Sequence, residues 1–263
     1  IADLMKEINL GLQSAVFLDD NPVERGRVVE TLPEVLVPEM PKDKMRYVGL
    51  LRRLDCFDAP VITEEDRKRS AMYDAERTRR AAMEEAGLVS SFDEWLKTLN
   101  IQVEVAPITK ANVQRTSQLF NKANQMNLRT RRMTEPEIVS WERECGHHLW
   151  TFRVSDNFGD SGLTAIAAIE LAQDGTAYIA DYIMSCRIMG KRVEETVVHY
   201  LTESARVHGA KRLVANYQET EKNLPMLEFW QRSGFEDIGE HMFVWDLNQT
   251  YPKPEAVTLI SEK

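Results

Sequence analysis

The stretch that decides the fold is Arg187–Arg192, which reads RIMGKR and joins a predicted strand at Ala177–Cys186 to a predicted helix. The N-terminus of a helix presents unpaired N–H groups and about half a positive charge, and both attract anions. Gly190 has no side chain, so the backbone can approach a phosphate closely, and Lys191 and Arg192 add positive charge. The stretch predicts a phosphate or pyrophosphate site; the alternative is that Gly190 only begins a helix.

A second stretch carries the rest of the fold signal. Asn223–Phe235 reads NLPMLEFWQRSGF and follows a predicted strand at Lys211–Tyr217. The two stretches together resemble the GNAT acyltransferase family, whose motifs are Gln/Arg-x-x-Gly-x-Gly/Ala and then an asparagine, an aromatic pair and Gly-Phe. The resemblance implies that an acyl thioester binds at these residues: Arg187, Ile188, Met189, Gly190, Lys191, Arg192 and Asn223.

Arg192 stands where the GNAT motif usually has a small residue. A guanidinium there would either crowd a phosphate or bind it. Two carriers of the acyl group therefore stay open, coenzyme A and the phosphopantetheine arm of a carrier protein.

Candidate catalytic groups lie close to the two motifs. The second aromatic of the family pair is often a tyrosine acid, but here it is Trp230, whose indole cannot donate that proton, so we expect it in the core. Tyr217 and Tyr182 are the possible substitutes. Cys186 ends the strand before the helix, where the helix dipole and Arg187 favour a nucleophilic thiolate. The alternative for this cysteine is a small buried residue.

Two carboxylates, Asp19 and Asp20, follow the short apolar run Ser14–Leu18 (SAVFL). Ligands bind at the carboxyl ends of strands in open α/β sheets, and paired carboxylates suit Mg²⁺. The alternative is a turn with a helix cap, since Asp and Asn serve both purposes.

The string FLDDNPVER at residues 17–25 resembles the last motif of haloacid-dehalogenase (HAD) phosphotransferases, and more closely the FkbH-like family. That family joins an HAD-like domain to a C-terminal GNAT-like domain. Residues 122–128 (KANQMNL), 130–132 (TRR) and 185–190 (SCRIMG) also match its style. The resemblance implies that a small phosphorylated acyl donor, 1,3-bisphosphoglycerate, is dephosphorylated and its glyceryl group passed as a thioester to an acyl carrier protein for polyketide biosynthesis.

The Asp-x-Asp-x-Thr motif needed for HAD chemistry is absent from residues 1–263. Either the missing half of the HAD domain lies upstream of Ile1, or the chain has no phosphatase activity. The helical pattern that opens at Ile1 without a cap favours an N-terminally truncated chain, in which the magnesium site requires the missing half.

The polar stretch Asn121–Arg132 (NKANQMNLRTRR) combines amides with three arginines. It predicts an anion site that binds the substrate or docks an acidic carrier protein. The alternative is a helix end with solvated arginines. If the resemblance holds, the substrate-binding residues are Asn124, Gln125, Asn127 and Arg131.

Composition limits the classes of function. The chain has 263 residues and a net charge of −9, which argues against general affinity for nucleic acid. No apolar run approaches the roughly 18 residues that span a bilayer. Three cysteines do not form a disulfide framework, so a reducing cytoplasm is the expected location.

Local signals predict several element boundaries. Helix caps are expected at Thr63, Ser91, Thr109 and Thr134, the last with Glu137 as a capping box, and Pro22 suits the first turn of another helix. Asp174-Gly175 predicts a hairpin turn, and residues 14–18 and 36–37 are predicted to form short strands.

We expect an α/β fold in four parts. These are a partial HAD-like (Rossmannoid) domain at residues 1–58, a helical linker at 59–100, a GNAT-like mixed sheet flanked by helices at 101–250, and a loose tail at 251–263. The predicted function is acyl transfer to a carrier protein. The alternatives are a GNAT-fold module that binds acyl-coenzyme A or a carrier protein without catalysis, and a small-amine N-acetyltransferase.

Overall fold

Two units make up the chain in the computed structural model, Ile1–Glu64 and Glu65–Lys263. The structure describes residues 1–7, 10–58, 67–86 and 92–261. The helix caps that the sequence predicts at Thr63 and Ser91 lie outside these ranges. No helix within them is long and apolar enough to cross a membrane.

The described residues of the N-terminal unit form three α-helices: α1 (Ala2–Glu7), α2 (Pro22–Thr31) and α3 (Tyr47–Leu51). Helix α2 begins where the sequence predicts, because the Asn21 side chain accepts the Val23 N–H and Pro22 occupies the first turn. The strands predicted at residues 14–18 and 36–37 are reduced to one parallel bridge between Val16 and Leu36. This leaves a minimal β-α-β piece, and its HAD-like identity stays a prediction.

The C-terminal unit is a mixed sheet flanked by helices, as the sequence predicts. Its helices are α4 (Arg69–Ala86), α5 (Phe92–Thr98), α6 (Val113–Lys122), α7 (Glu135–Glu142), α8 (Val193–Val207) and α9 (Leu224–Arg232). Its strands are β1 (Ile101–Pro107), β2 (Met126–Asn127), β3 (His147–Asp156), β4 (Gly159–Leu171), β5 (Thr176–Met184), β6 (Arg212–Asn216), β7 (Glu236–Asp237), β8 (Met242–Asp246) and β9 (Val257–Ser261).

The strand order is β7-β8-β6-β5-β4-β3-β1-β9, and β2 pairs with β5 off this path. Neighbouring strands are antiparallel except for the pairs β5–β6 and β1–β9, which are parallel. Apolar clusters lie on both faces of the sheet, and this explains why β4 is buried continuously from Gly162 to Ile169. Tyr182 belongs to the cluster that includes residues of α8 and α9, and its neighbour Ile183 to the one that includes residues of α6 and α7.

Local signals set several boundaries. The predicted capping box at Thr134 and Glu137 is present with both of its bonds, and α7 follows it. The predicted hairpin between β4 and β5 turns at Gly175, whose φ is +81°. The predicted cap at Thr109 is wrong: Asn112 precedes α6, and its side chain accepts the Thr109 N–H.

The expected loose tail is ordered instead. Residues 257–261 form β9, which pairs in parallel with β1 along Ile101–Val105. Tyr251 is buried, and its hydroxyl donates to the Ser233 carbonyl. Pro252 and Pro254 indicated a loose tail, but the alternating apolar residues after them cover the edge of the sheet.

Candidate functional site

Strands β5 and β6 separate at their carboxyl ends. They pair only from Thr176–Arg212 to Ile179–Ala215, although β5 continues to Met184. Ala180 is a bulge, because Ile169 pairs with Ile179 while the preceding Ala168 pairs with Asp181. Backbone groups of β5 beyond the bulge are therefore not paired with β6, and a gap separates the two strands there.

The segment 126–128 lies in this gap. Met126 and Asn127 pair with Met184 and Ile183 of β5. Leu128 then bridges the two sides: its N–H donates to the Tyr182 carbonyl at 3.0 Å, and its carbonyl accepts the Gln218 N–H at 3.0 Å. The chain itself thus forms one wall of the gap.

Asn223, a predicted donor-binding residue, holds that segment in place. Its side-chain oxygen accepts from the Tyr217 hydroxyl and the Thr220 N–H, both at 2.8 Å. Its amide nitrogen donates to the carbonyls of Asn127, at 3.0 Å, and Gln218, at 2.8 Å. These four bonds use the full hydrogen-bonding capacity of the amide.

The predicted acid Tyr217 is engaged in the same network. Its hydroxyl donates to Asn223, and burial raises its pKa above the ordinary tyrosine value. The shift favours the neutral phenol, which is the form that can donate a proton.

The Arg187–Arg192 stretch forms a turn before α8, which we call the donor loop. Gly190 is its exposed residue, whereas Ile188 and Lys191 are buried. Gly190 has a φ of +75°, and no described atom other than those of Gly190 and its two chain neighbours lies within 4 Å of where its Cβ would be, so a ligand can reach the backbone here. The Gly190 N–H, however, already donates to the Glu194 Oε1 of α8 at 2.5 Å. The group that the sequence assigns to a phosphate therefore meets a carboxylate.

Glu194 itself is an unusual side chain. It is 3 % exposed, and its Oε2 has no hydrogen-bond partner among the described residues. Burial raises the pKa of Glu194 to about 6, against the opposing effect of the Gly190 N–H. The sequence did not identify Glu194, because its role depends on a contact of its side chain with the backbone N–H of Gly190, four positions earlier.

Lys191 of the donor loop is also engaged with a carboxylate. It is 7 % exposed, and its Nζ lies 3.0 Å from Glu76 Oε2 of α4. Glu76 also pairs with Arg79, which in turn pairs with Asp156 at 2.8 Å. Burial would raise the pKa of Glu76, but Lys191 and Arg79 together lower it. Burial and then Arg79 lower the pKa of Lys191, against the effect of Glu76.

Arg192 does not point into the donor loop. Its backbone is left-handed, with a φ of +62°, and its guanidinium donates to Asp93 of α5 at 3.0 Å and to Glu195 at 3.1 Å. The guanidinium therefore neither crowds the turn nor is available there without breaking these pairs.

Cys186 begins the 3-10 turn Cys186–Ile188 after β5 and is half-buried. Burial raises the pKa of its thiol, and Arg187 only partly offsets this. The protonated thiol therefore dominates at neutral pH, which is the reverse of what a pre-activated nucleophile requires.

An ion pair between Asp181 and Arg131 is the second feature of the site. Asp181 lies on β5 next to the bulge. The Arg131 guanidinium donates to both carboxylate oxygens of Asp181, with Nε at 3.3 Å from Oδ1. Asp181 is 1 % exposed, and burial raises its pKa to about 6 despite Arg131 and Arg129. Sequence analysis placed Arg131 on the substrate but missed Asp181, whose only signal is a lone acid in the buried strand AYIADYIM.

The other predicted substrate residues lie around the same segment. Asn127 is fully buried, and its side chain bonds the Ala123 carbonyl at 3.1 Å and the Thr130 N–H at 2.8 Å. The Asn124 side chain accepts from Arg132 at 2.6 Å, and Gln125 is half-buried beside it. Asn127 and Arg131 thus meet β5, whereas Asn124 bonds to Arg132.

Charge is segregated around this segment. Between Glu104 and Glu135 the chain has no acidic residue, in a protein with 42 of them. Residues 105–134 hold six basic side chains, of which Lys110, Lys122, Arg129 and Arg132 are exposed. We call this stretch, residues 105–134, the acid-free segment.

In the N-terminal unit, Asp19 and Asp20 have structural partners. Asp19 Oδ1 accepts the Asn21 N–H at 2.7 Å, and Asp20 Oδ2 lies 3.3 Å from Lys44 Nζ. A cleft of about 380 Å³ adjoins them. No group of three or more His, Cys, Asp or Glu side chains able to hold a metal exists in the described ranges. Two carboxylates do not fit Mg²⁺, which requires near-octahedral oxygen ligands, so no step is assigned to a metal.

Comparison with known proteins gives a fold similarity for part of the chain. No family model and no curated protein matches it. Among solved structures, an N-acetyltransferase from Staphylococcus aureus Mu50 is similar over 55% of this chain and 98% of its own, with 14% identity and a TM-score of 0.42. The aminoglycoside acetyltransferase AAC(6')-Ib in complex with coenzyme A is similar over 55% of this chain and 94% of its own, with 12% identity and a TM-score of 0.41.

An IAA acetyltransferase from Bacillus cereus ATCC 14579 is similar over 52% of this chain and 79% of its own, with 14% identity and a TM-score of 0.39. Scores this low carry no functional argument.

Proposed function

We propose that the C-terminal unit is a GNAT-type acyltransferase that places a small acyl group, of the glyceryl type, on the pantetheine thiol of an acyl carrier protein. The observation that carries the proposal is the separation of the parallel strands β5 and β6 beyond Ile179, directly before a glycine turn that begins α8. A pantetheine arm is a narrow chain with two amides. The gap offers it the part of β5 at Ala180 and Asp181, which pairs with neither β6 nor β2, and an open turn at Gly190.

The chemistry requires one proton to be removed and one returned. The incoming thiol loses its proton, its sulfur attacks the acyl carbon, and the bond from that carbon to the donor's leaving group breaks. The leaving group then takes up the proton. Asp181 lies beside the bulge with a pKa of about 6, which suits a base near neutral pH once Arg131 turns to an anionic substrate group.

Two routes are open to the acyl group. In the first, the acyl group passes directly from the donor to the thiol of the carrier protein. In the second route the Cys186 thiol carries the acyl group as a covalent thioester before it passes to the carrier protein. The raised pKa of Cys186 favours the direct route. Tyr217 is the proposed acid for the leaving group, because its phenol stays protonated beside the gap.

The acid-free segment supports a carrier protein with an acidic surface as the partner. Opposite charge on two surfaces speeds their encounter and fixes their orientation. The exposed cations Lys122 and Arg129 lie at either end of the segment that enters the β5–β6 gap, so a protein docked on them would deliver its pantetheine arm there.

The experiment uses the whole chain, a glyceryl pantetheine thioester as donor, and a holo-carrier protein as acceptor. Intact-mass measurement should show the holo-carrier gaining one glyceryl group, while the apo-carrier, which lacks the thiol, gains none. The double variant Lys122→Glu with Arg129→Glu should lower kcat/KM about tenfold at low salt. The control Lys211→Glu, an exposed cation outside the acid-free segment, should leave it unchanged. A folded chain that produces no acylated holo-carrier would refute the proposal.

A binding module without catalysis is the second candidate. Asn223, Tyr217 and the Gly190 N–H are all bonded within the chain, and this favours a role in holding a partner rather than in chemistry. Binding of the holo-carrier without acyl transfer from any donor would support this candidate. Turnover of acetyl-coenzyme A with small amines would support the N-acetyltransferase alternative.

A further inference from the structure

We propose that Glu194 and Glu76 make the donor loop reject the diphosphate of free coenzyme A, so that the chain accepts pantetheine only as the arm of a carrier protein. This inference rests on the proposed function and names its substrate class. It would decide between the two carriers that the sequence leaves open.

Each anion-binding group that the sequence identifies in the donor loop already contacts a carboxylate of the chain. The Gly190 N–H donates to Glu194, and the Lys191 ammonium pairs with Glu76. Arg192 pairs with Asp93 and Glu195. Gly190, Lys191 and Arg192 are therefore engaged before any ligand binds, while the Arg187 guanidinium donates to Ser185 Oγ at 3.3 Å and to Met72 Sδ at 2.7 Å.

Glu194 has the strongest effect because its carboxylate accepts the Gly190 N–H, the group that the sequence assigns to a phosphate. One oxygen occupies the Gly190 N–H, and the other is buried without a partner among the described residues. The first turn of α8 also contains Glu195, so the end of the helix that normally attracts anions has two acids. A diphosphate would have to displace one carboxylate and approach a second.

Shape does not exclude a ligand from the loop. Gly190 is exposed, and no described atom beyond its two chain neighbours lies within 4 Å of its missing Cβ position. The neutral amides of a pantetheine arm can therefore pass where a phosphate is repelled. The arm of a carrier protein has a single phosphodiester, which lies next to the carrier protein surface rather than at a nucleotide. The donor loop thus discriminates by charge between coenzyme A, which carries a diphosphate, and the neutral part of a pantetheine arm.

Helix α4 supplies the second carboxylate from a distant part of the sequence. Glu76 and Arg79 lie on one face of α4, three residues apart, and connect Lys191 to Asp156. This arrangement keeps Lys191 buried and paired. A ligand that attracted Lys191 would have to break the network as well.

The test measures dissociation constants by isothermal titration calorimetry for two probes, coenzyme A and phosphate-free pantetheine. In the unmodified chain coenzyme A should bind about tenfold more weakly than pantetheine, because the two carboxylates repel its phosphates. Glu194→Gln, which is nearly isosteric, should tighten coenzyme A binding about tenfold or more and leave pantetheine binding unchanged. Glu203→Gln, on the same helix but paired with Arg206, is the matched control and should change neither.

Binding of coenzyme A by the unmodified chain that is as tight as, or tighter than, its binding of pantetheine would overturn the inference. So would a Glu194→Gln chain, shown to be folded by circular dichroism, in which coenzyme A binding does not improve. Glu76→Gln gives an independent second variant, with Asp74→Asn on the exposed face of α4 as its control. A chain that binds neither pantetheine nor holo-carrier would instead refute the proposed function.

Discussion

Replacing Glu194 with Gln should change how the stability of the C-terminal unit depends on pH. Burial raises the pKa of Glu194 from 4.5 to about 6, so the folded state prefers the protonated form. The contribution of this group to stability is therefore fully present below pH 4.5 and is lost as the pH rises through 6. A shift of this size corresponds to a loss of about 2 kcal/mol at pH 8.

The Gln side chain does not titrate, so the variant should not show that loss. Its amide nitrogen replaces the unpaired Oε2 and costs a further amount, about 1 kcal/mol, that does not depend on pH. The free energy of unfolding of the variant, relative to that of the unmodified chain, should therefore rise by about 2 kcal/mol between pH 4.5 and pH 8, whatever the constant offset.

Urea unfolding at several pH values, followed by tryptophan fluorescence, measures this difference. All five tryptophans lie in the C-terminal unit, so the signal reports on that unit alone. The control is Glu203→Gln, which pairs with Arg206 at the other end of α8. If the Glu194→Gln curve stays parallel to that of the unmodified chain from pH 4.5 to 8, the buried, unpaired carboxylate does not exist in solution.

Three further changes test other parts of the site. Asp181→Asn should destabilise the C-terminal unit by about 1–3 kcal/mol in urea unfolding, because it leaves the half-buried Arg131 without its carboxylate. Asn223→Ala should cost about 3 kcal/mol by removing four buried hydrogen bonds, and hydrogen exchange at the Leu128 amide should accelerate. Cys186→Ala should retain most of the acyl transfer to the holo-carrier in the intact-mass assay, because the direct route does not use the thiol.

Each of these changes has a control and an opposing outcome. Asp160→Asn breaks an exposed ion pair with Arg153 and should lower the free energy of unfolding by well under 1 kcal/mol. Equal losses of stability for Asp181→Asn and Asp160→Asn would contradict the greater contribution that we assign to the buried carboxylate of Asp181. Asn248→Ala changes an exposed amide and should leave exchange at Leu128 unchanged. A Cys186→Ala chain that folds but transfers nothing would establish the covalent route.

Local sequence signals predicted much of the fold. The strand–glycine–helix order around Gly190, the capping box at Thr134 and the hairpin turn at Gly175 each depend on residues within a few positions of one another. Such signals specify turns and helix starts through backbone conformation and orphan N–H groups, whatever the rest of the chain does.

The chemistry of the site depends on contacts that no local signal specifies. Lys191 meets Glu76 across 115 positions, and Arg131 meets Asp181 across 50. Sequence analysis therefore treated Lys191 and Arg131 as available cations, although tertiary packing pairs each with an acid. The same limit explains β9, whose partner β1 lies more than 150 residues earlier.

The central claim is that a pantetheine arm binds between β5 and β6 at the donor loop. Backbone amide chemical shifts, recorded while pantetheine is titrated into the isotopically labelled chain, test it most directly. The account predicts that the largest shifts cluster in residues 187–192, 180–184 and 126–128. Shifts confined to other parts of the chain, or no shifts at millimolar ligand, would contradict it.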